Sequence, residues 1–196
     1  MFNEIIFSKT APLEGQAYVG PKVWLPSDIK WPTTQEGKPL SHLMAIPTSW
    51  FSKKTSLKNH CISIFIPYTK NSSTHYRDLS TRNTNQSAVV IGYFKSPTPI
   101  DQAHQISDSG SAFISANLNT DNEENLASKV DGIDAWLQRE IIIDSHCRRA
   151  SIYGADLDIC LPHDKGILSD GMGYLFLHDD FESRKITEVG KFFLQL

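Results

Sequence analysis

Val19-Gly20-Pro21-Lys22-Val23-Trp24-Leu25-Pro26-Ser27-Asp28-Ile29-Lys30-Trp31-Pro32-Thr33-Thr34-Gln35-Glu36-Gly37-Lys38-Pro39-Leu40-Ser41-His42-Leu43-Met44-Ala45-Ile46-Pro47-Thr48-Ser49-Trp50-Phe51 is the stretch around which the chain is organised. Proline fixes its own φ, removes a backbone donor and pushes the preceding residue towards extended geometry. Leu25, Trp31, Lys38 and Ile46, each followed by proline, are therefore biased to β or polyproline conformation, and regular secondary structure is not expected over most of the stretch. Trp24, Leu25, Ile29 and Trp31 lie inside this stiff path, and burying one indole removes roughly 150–250 Å² from water. The reading is a loop stapled to the core by tryptophans, followed by a short buried strand at Met44-Ala45-Ile46 and an anchor at Trp50-Phe51.

Outward from the staple, Cys61-Ile62-Ser63-Ile64-Phe65-Ile66 alternates, is β-branched and stops at Pro67, which predicts a strand. Ala88-Val89-Val90-Ile91-Gly92-Tyr93-Phe94 is nearly continuous in apolar content and predicts a central strand. Between them, residues 70–87 are rich in Asn, Ser and Thr and read as a long exposed loop. Residues 100–106 are a helical turn or an extended connector, and residues 112–118 suit a strand. Leu126, Val130, Ile133, Ala135, Trp136 and Leu137 recur at helical spacing, so a helix is expected over about residues 123–138, weakened at Gly132. Further strands are expected over residues 140–144, 150–154, 156–161 and 192–196, and residues 3–7 suit a short strand or helical turn. Asp179-Asp180 suits the cap of a short helix through Arg184. Many strands with one clear helix and no regular β-α alternation predict an α+β fold with a mixed or antiparallel sheet.

The chain's 196 residues fit a single domain spanning 1–196. Nineteen Lys and Arg against 22 Asp and Glu give a net charge of −3, without the basic excess of a phosphate-tracking surface, so no nucleic-acid partner is expected. The N-terminus has no basic segment leading an apolar run, and no stretch approaches the roughly 18 apolar residues of a span, so no membrane partner and a cytoplasmic location are expected. Cys61, Cys147 and Cys160 are odd in number and widely spaced, which suits free thiols in a reducing compartment.

In the last forty residues, Ser169-Asp170-Gly171-Met172-Gly173-Tyr174-Leu175-Phe176-Leu177 predicts a tight glycine-permitted turn feeding a buried strand. Together with Phe193-Leu194-Gln195, and with Gly20-Pro21, Leu25-Pro26, Trp31-Pro32, Gly37-Lys38-Pro39-Leu40 and His42-Leu43-Met44-Ala45-Ile46, it resembles the opening and closing segments of the YwqG-like (DUF1963) family. The usual Phe-Leu-Ala-Gln-Ile of that family reads His42-Leu43-Met44-Ala45-Ile46 here, and its first closing Gly is Ser169. The resemblance speaks chiefly about fold; short members look like small proteins encoded beside polymorphic or type VI secreted toxins.

The chemistry-bearing residues form no enforced constellation. His146, His163 and His178 lie on different segments beside Cys147, Asp164 and Asp179, without the spacing that builds a metal site. Cys147, flanked by His146, Arg148 and Arg149, has the charge setting of an activated thiol, yet strand neighbours point to opposite faces, which favours a structural thiol. Asp170 suits a turn carboxylate accepting backbone N–H bonds. The expectation is therefore a non-catalytic protein with no cofactor and no metal: an immunity protein that neutralises a cognate toxin from a neighbouring gene by occluding its active site. Its expected contacts are Trp50, Phe51, His75, Tyr76, Arg77, Asp78, Asp121, Glu123 and Glu124. The alternative is an enzyme or ligand- or metal-binding protein that uses Asp170 with His163 or His178.

Overall fold

The computed structural model describes residues 2–80, 87–100, 105–183 and 188–196. Ten strands run in chain order: β1 (Phe2–Ser8), β2 (Ala17–Val19), β3 (Ser41–Pro47), β4 (His60–Ile66), β5 (Val89–Phe94), β6 (Gly110–Asn117), β7 (Lys129–Val130), β8 (His146–Tyr153), β9 (Met172–His178) and β10 (Glu188–Gln195). They close into an antiparallel barrel in the order β1-β6-β2-β3-β4-β5-β10-β9-β8-β7, with β7 pairing back onto β1. The barrel interior is packed with side chains. Ile62, Ile64 and Ile66 of β4 point inward with Leu175 and Leu177 of β9, Val90 of β5 and Phe192 of β10. A two-residue period sends their neighbours to the outer face.

Those outer faces are not left to water. The proline-rich segment, residues 20–40, crosses the outside of β4 and β5, so that Val23, Leu25 and Trp31 cover Cys61, Phe65, Ile91 and Tyr93. Trp31 meets the edge of Phe65 at 5.2 Å and donates its indole N–H to the Leu40 carbonyl at 2.8 Å. Burial on both faces explains why β4 has no exposed residue: Cys61 and Phe65 of its outer face are apolar. A second irregular segment, residues 131–145, covers Met172, Tyr174 and Phe176 on the outside of β9, with the Trp136 ring tilted against that of Tyr174 at 4.5 Å between centres. The barrel therefore carries two tryptophan-pinned straps, one over β4 and β5 and one over β9, with β10 between them.

The α+β expectation is overturned, because helix amounts to about 8% and every named strand belongs to the closed antiparallel barrel. The helix expected over residues 123–138 is absent. Asp131 and Gly132 have φ of 52° and 79°, two consecutive left-handed residues that no α-helix accommodates. The apolar spacing there serves two surfaces: Val130 enters the barrel on β7, whereas Trp136 and Leu137 lie over β9. Residues 140–144 are likewise strap rather than strand, and residues 156–161 run from a helical turn, α2 (Gly154–Leu157), into irregular turns. Within the expected loop a short helix forms, α1 (Thr74–Asp78). Residues 179–183 are turns, and Arg184 lies outside the described residues, as do parts of the segments expected over 70–87 and 100–106.

The two barrel openings are plugged differently. Leu79 after α1, Leu157 of α2, and Leu161, Ile167 and Leu168 close one end. Phe181 closes the other, where Trp50 of the 3-10 turn Thr48–Trp50 and Phe51 after it pack against the core.

Candidate functional site

Strand register places the expected contact residues at both ends of the barrel. Strand β4 leaves the Trp50 end at His60 and reaches the α1 end at Ile66, a path of roughly 20 Å for seven residues. His75, Tyr76, Arg77 and Asp78 lie on α1. Trp50 and Phe51 lie at the opposite end, as do Asp121, Glu123 and Glu124, which follow β6 where Asn117 pairs with Phe2. The nine residues do not form one face.

At the α1 end, Tyr76, Arg77 and Asp78 line a groove of about 630 Å³ with Ser80, Gln138, Leu194 and Leu196. Arg77 and Asp78 also line a second groove of about 580 Å³ with Thr34, Glu36 and Thr69. Arg77 is widely exposed and sits 3.6 Å from the Asp78 carboxylate. The Tyr76 hydroxyl donates to the Gly166 carbonyl, and burial raises its pKa, which fixes the ring while leaving part of it open. His75 points the other way. It is 1% exposed, its Nε2 lies 2.9 Å from the Ile167 carbonyl, and burial lowers its pKa, so it positions α1 rather than meeting a partner.

At the other end, the Trp50 indole N–H donates to the Gly15 carbonyl at 3.0 Å, and the ring is half-buried with Phe51 against the core. Asp121 is withdrawn into an ion pair with Lys129 at 2.6 Å, leaving Glu123 and Glu124 exposed.

Asp170, His163 and His178 do not converge. Asp170 precedes the start of β9 and His178 ends that strand, roughly 20 Å away. His163 Nδ1 lies 2.8 Å from the Asp108 carboxylate. Among the described residues there is no group of three or more His, Cys, Asp or Glu able to hold a metal ion. The exposed Cys147 thiol hydrogen-bonds to Asp179 at 3.3 Å, and that carboxylate raises its pKa, the opposite of activation.

Two buried polar clusters had no signature in the sequence. Under the proline strap, Tyr93 donates to Ser63 at 2.7 Å, Ser63 to His42 Nε2 at 3.0 Å, and His42 Nδ1–H to the Gly20 carbonyl at 2.6 Å. This order gives every group a partner with neutral histidine, and His42 thus ties strap to barrel. At the α1 end, Asp164 receives Lys70 at 2.8 Å, the Ser107 hydroxyl and backbone N–H at 2.7 Å, and the Asp108 N–H at 2.8 Å. Gln138, Leu194 and Leu196 were also missed, because they reach the α1 groove through tertiary pairing: Leu194 N–H donates to the Leu79 carbonyl.

Compared with known proteins, the chain matches no family model. No curated protein matches it either. Among the described residues, no helix is long and apolar enough to cross a membrane.

Proposed function

We propose that this chain is an immunity protein that binds a cognate interbacterial toxin, of a type VI or polymorphic system, in the cytoplasm and neutralises it by covering the toxin's active site. The observation that carries this reading is the α1 end, where Tyr76, Arg77 and Asp78 stand between two grooves with the exposed Leu196 beside them. Tyrosine and arginine dominate protein–protein hot spots, and here a rigid plug holds them at low entropic cost. The YwqG-like resemblance of the opening and closing segments supports the same reading, and Ser169 adds to it. It takes a left-handed φ of 54° at the position where the family pattern carries glycine.

The test is co-expression with the product of the adjacent gene, read as complex formation and as survival. Wild type is expected to form a complex burying roughly 1,200–2,000 Å² and to protect the cell. Tyr76→Ala with Arg77→Ala is expected to weaken it by about thirtyfold or more, the scale of two hot-spot truncations. Neither complex nor protection with wild type overturns the proposal.

A further inference from the structure

The chain's charges are segregated. Residues 1–100 carry eleven Lys and Arg against five Asp and Glu, whereas residues 101–196 carry eight against seventeen. The segregation holds in space: the described residues of the run β2-β3-β4-β5 and its connections carry nine Lys and Arg against three Asp and Glu, and those of the run β10-β9-β8-β7 carry six against twelve, giving a more basic and a more acidic half of the barrel. Four cations meet at the end opposite α1, where Lys53, Lys54, Lys58 and Lys95 line a groove of about 530 Å³. Three of these lysines come from the short connection between β3 and β4, and the fourth follows β5.

Lys54 is held by Glu182 and Lys95 lies 5.6 Å from the centre of the Trp24 ring, while Lys53 and Lys58 have no ion-pair partner among the described residues. Among the described residues, Glu14 is the single carboxylate lining the groove. His60 lines it too, but burial lowers its pKa, so at neutral pH the positive charge comes from lysine alone. Two large apolar side chains stand exposed at its margin: Leu13, 73% exposed, and Phe94, 54% exposed, whose ring meets His60 edge-on at 4.9 Å. Cations around exposed apolar anchors are the complement of an acidic segment with an apolar side chain of its own.

We propose that this groove is a docking surface for an acidic segment of a partner protein, anchored on Leu13 and Phe94 and neutralised by Lys53, Lys58 and Lys95. A nucleic acid fits less well. Exposed Asp144, Asp179 and Asp180 occupy the same end of the barrel on its more acidic half, and an extended polyanion leaving the groove meets them. A short acidic segment lies within one Debye length of the lysines, about 8 Å at physiological salt, and sees chiefly attraction. The groove is distinct from the α1 surface, and the inference stands on it whether or not the chain is an immunity protein.

The experiment titrates the full chain with a labelled peptide of about twelve residues, mostly Glu and Asp with one central Phe, and with an oligothymidylate of similar charge. The peptide is expected to bind, and to weaken as salt rises from roughly 50 to 300 mM. K53E/K58E/K95E is expected to weaken it by about tenfold or more, and L13A by severalfold. K9E/K38E/K165E, which makes the same change in net charge at the opposite, α1 end of the barrel, is expected to alter it by less than about twofold. A wild type that ignores the peptide, a groove variant that binds it unchanged, or a control variant that loses it equally overturns the proposal. So does tighter binding of the oligothymidylate, which would make the groove a nucleic-acid site. Because the readout is direct binding, failure here leaves the toxin-protection result untouched.

Discussion

The Lys129 ammonium lies 2.6 Å from the Asp121 carboxylate with the lysine side chain wholly buried and the aspartate 5% exposed. The pair is well supported: Asp121 also accepts the Ile133 N–H at 2.6 Å and the Asn125 amide at 3.3 Å, and the Phe2 ring centre lies 5.4 Å from the ammonium. Removing one member leaves an uncompensated buried charge. Asp121→Ala is therefore expected to lower stability by about 3–5 kcal/mol, whereas replacing both residues by apolar ones of similar volume costs much less. Urea unfolding midpoints of the single and double variants check this; equal losses would show that the pair is not a closed unit.

Trp31 staples the proline strap, being 9% exposed, packed on Phe65 and hydrogen-bonded to Leu40. Trp31→Ala is expected to cost about 3–5 kcal/mol, the scale of a large aromatic deletion from a core. The loss should appear in global unfolding, because the strap covers β4 and β5 rather than a peripheral loop. A variant that keeps its unfolding midpoint would mean that the strap can repack without its indole.

Local chemistry made much of the barrel wall readable. The β-branched alternation of residues 61–66, the apolar run at 88–94 and the glycines before Tyr174 lie on β4, β5 and the start of β9. Closure was not readable, because it depends on β5 meeting β10 and β1 meeting β7 across large sequence separations. The helical spacing from Leu126 to Leu137 misled for a related reason: residues bound for two different surfaces happened to recur at that interval. The exposed part of the α1 site was legible because Tyr76, Arg77 and Asp78 stand in a polar stretch, where their solvent access follows from composition. The burial of His75 and Asp121 was not, since each depends on a distant or left-handed backbone segment folding over it.

The closing turn makes opposite demands on neighbouring residues. Ser169 carries the left-handed φ, while Gly171 is needed because an added Cβ would overlap the Gln195 and Leu168 carbonyl oxygens. Left-handed backbone costs a non-glycine residue roughly 1–2 kcal/mol, partly offset by the greater unfolded freedom of glycine. Ser169→Gly is expected to raise stability by about 0.5–1 kcal/mol and Gly171→Ala to lower it by about 2 kcal/mol or more. Thermal unfolding of the two variants reads both signs, and a destabilising Ser169→Gly would mean that the serine side chain supports the turn.

Asp164 sets an acid limit on the fold. Burial pushes its pKa up, but the Lys70 ammonium and the N–H and O–H groups of Asp108 and Ser107 more than reverse this, and the net result lies below the ordinary aspartate value. A carboxyl that titrates lower when folded than when unfolded binds fewer protons in the native state. Its stabilising contribution is complete above the unfolded pKa, about 4, and disappears as pH falls through the folded one. Asp121 is lowered in the same direction, burial again opposed by Lys129 and Ile133. Stability is therefore expected to be flat from about pH 7 to 5 with respect to these two groups and to fall below about pH 4. Asp164→Asn should lower stability at pH 7 and reduce the slope below pH 4, with Lys70 left facing a neutral amide. An unchanged acid slope in that variant would assign the acid sensitivity to other carboxylates.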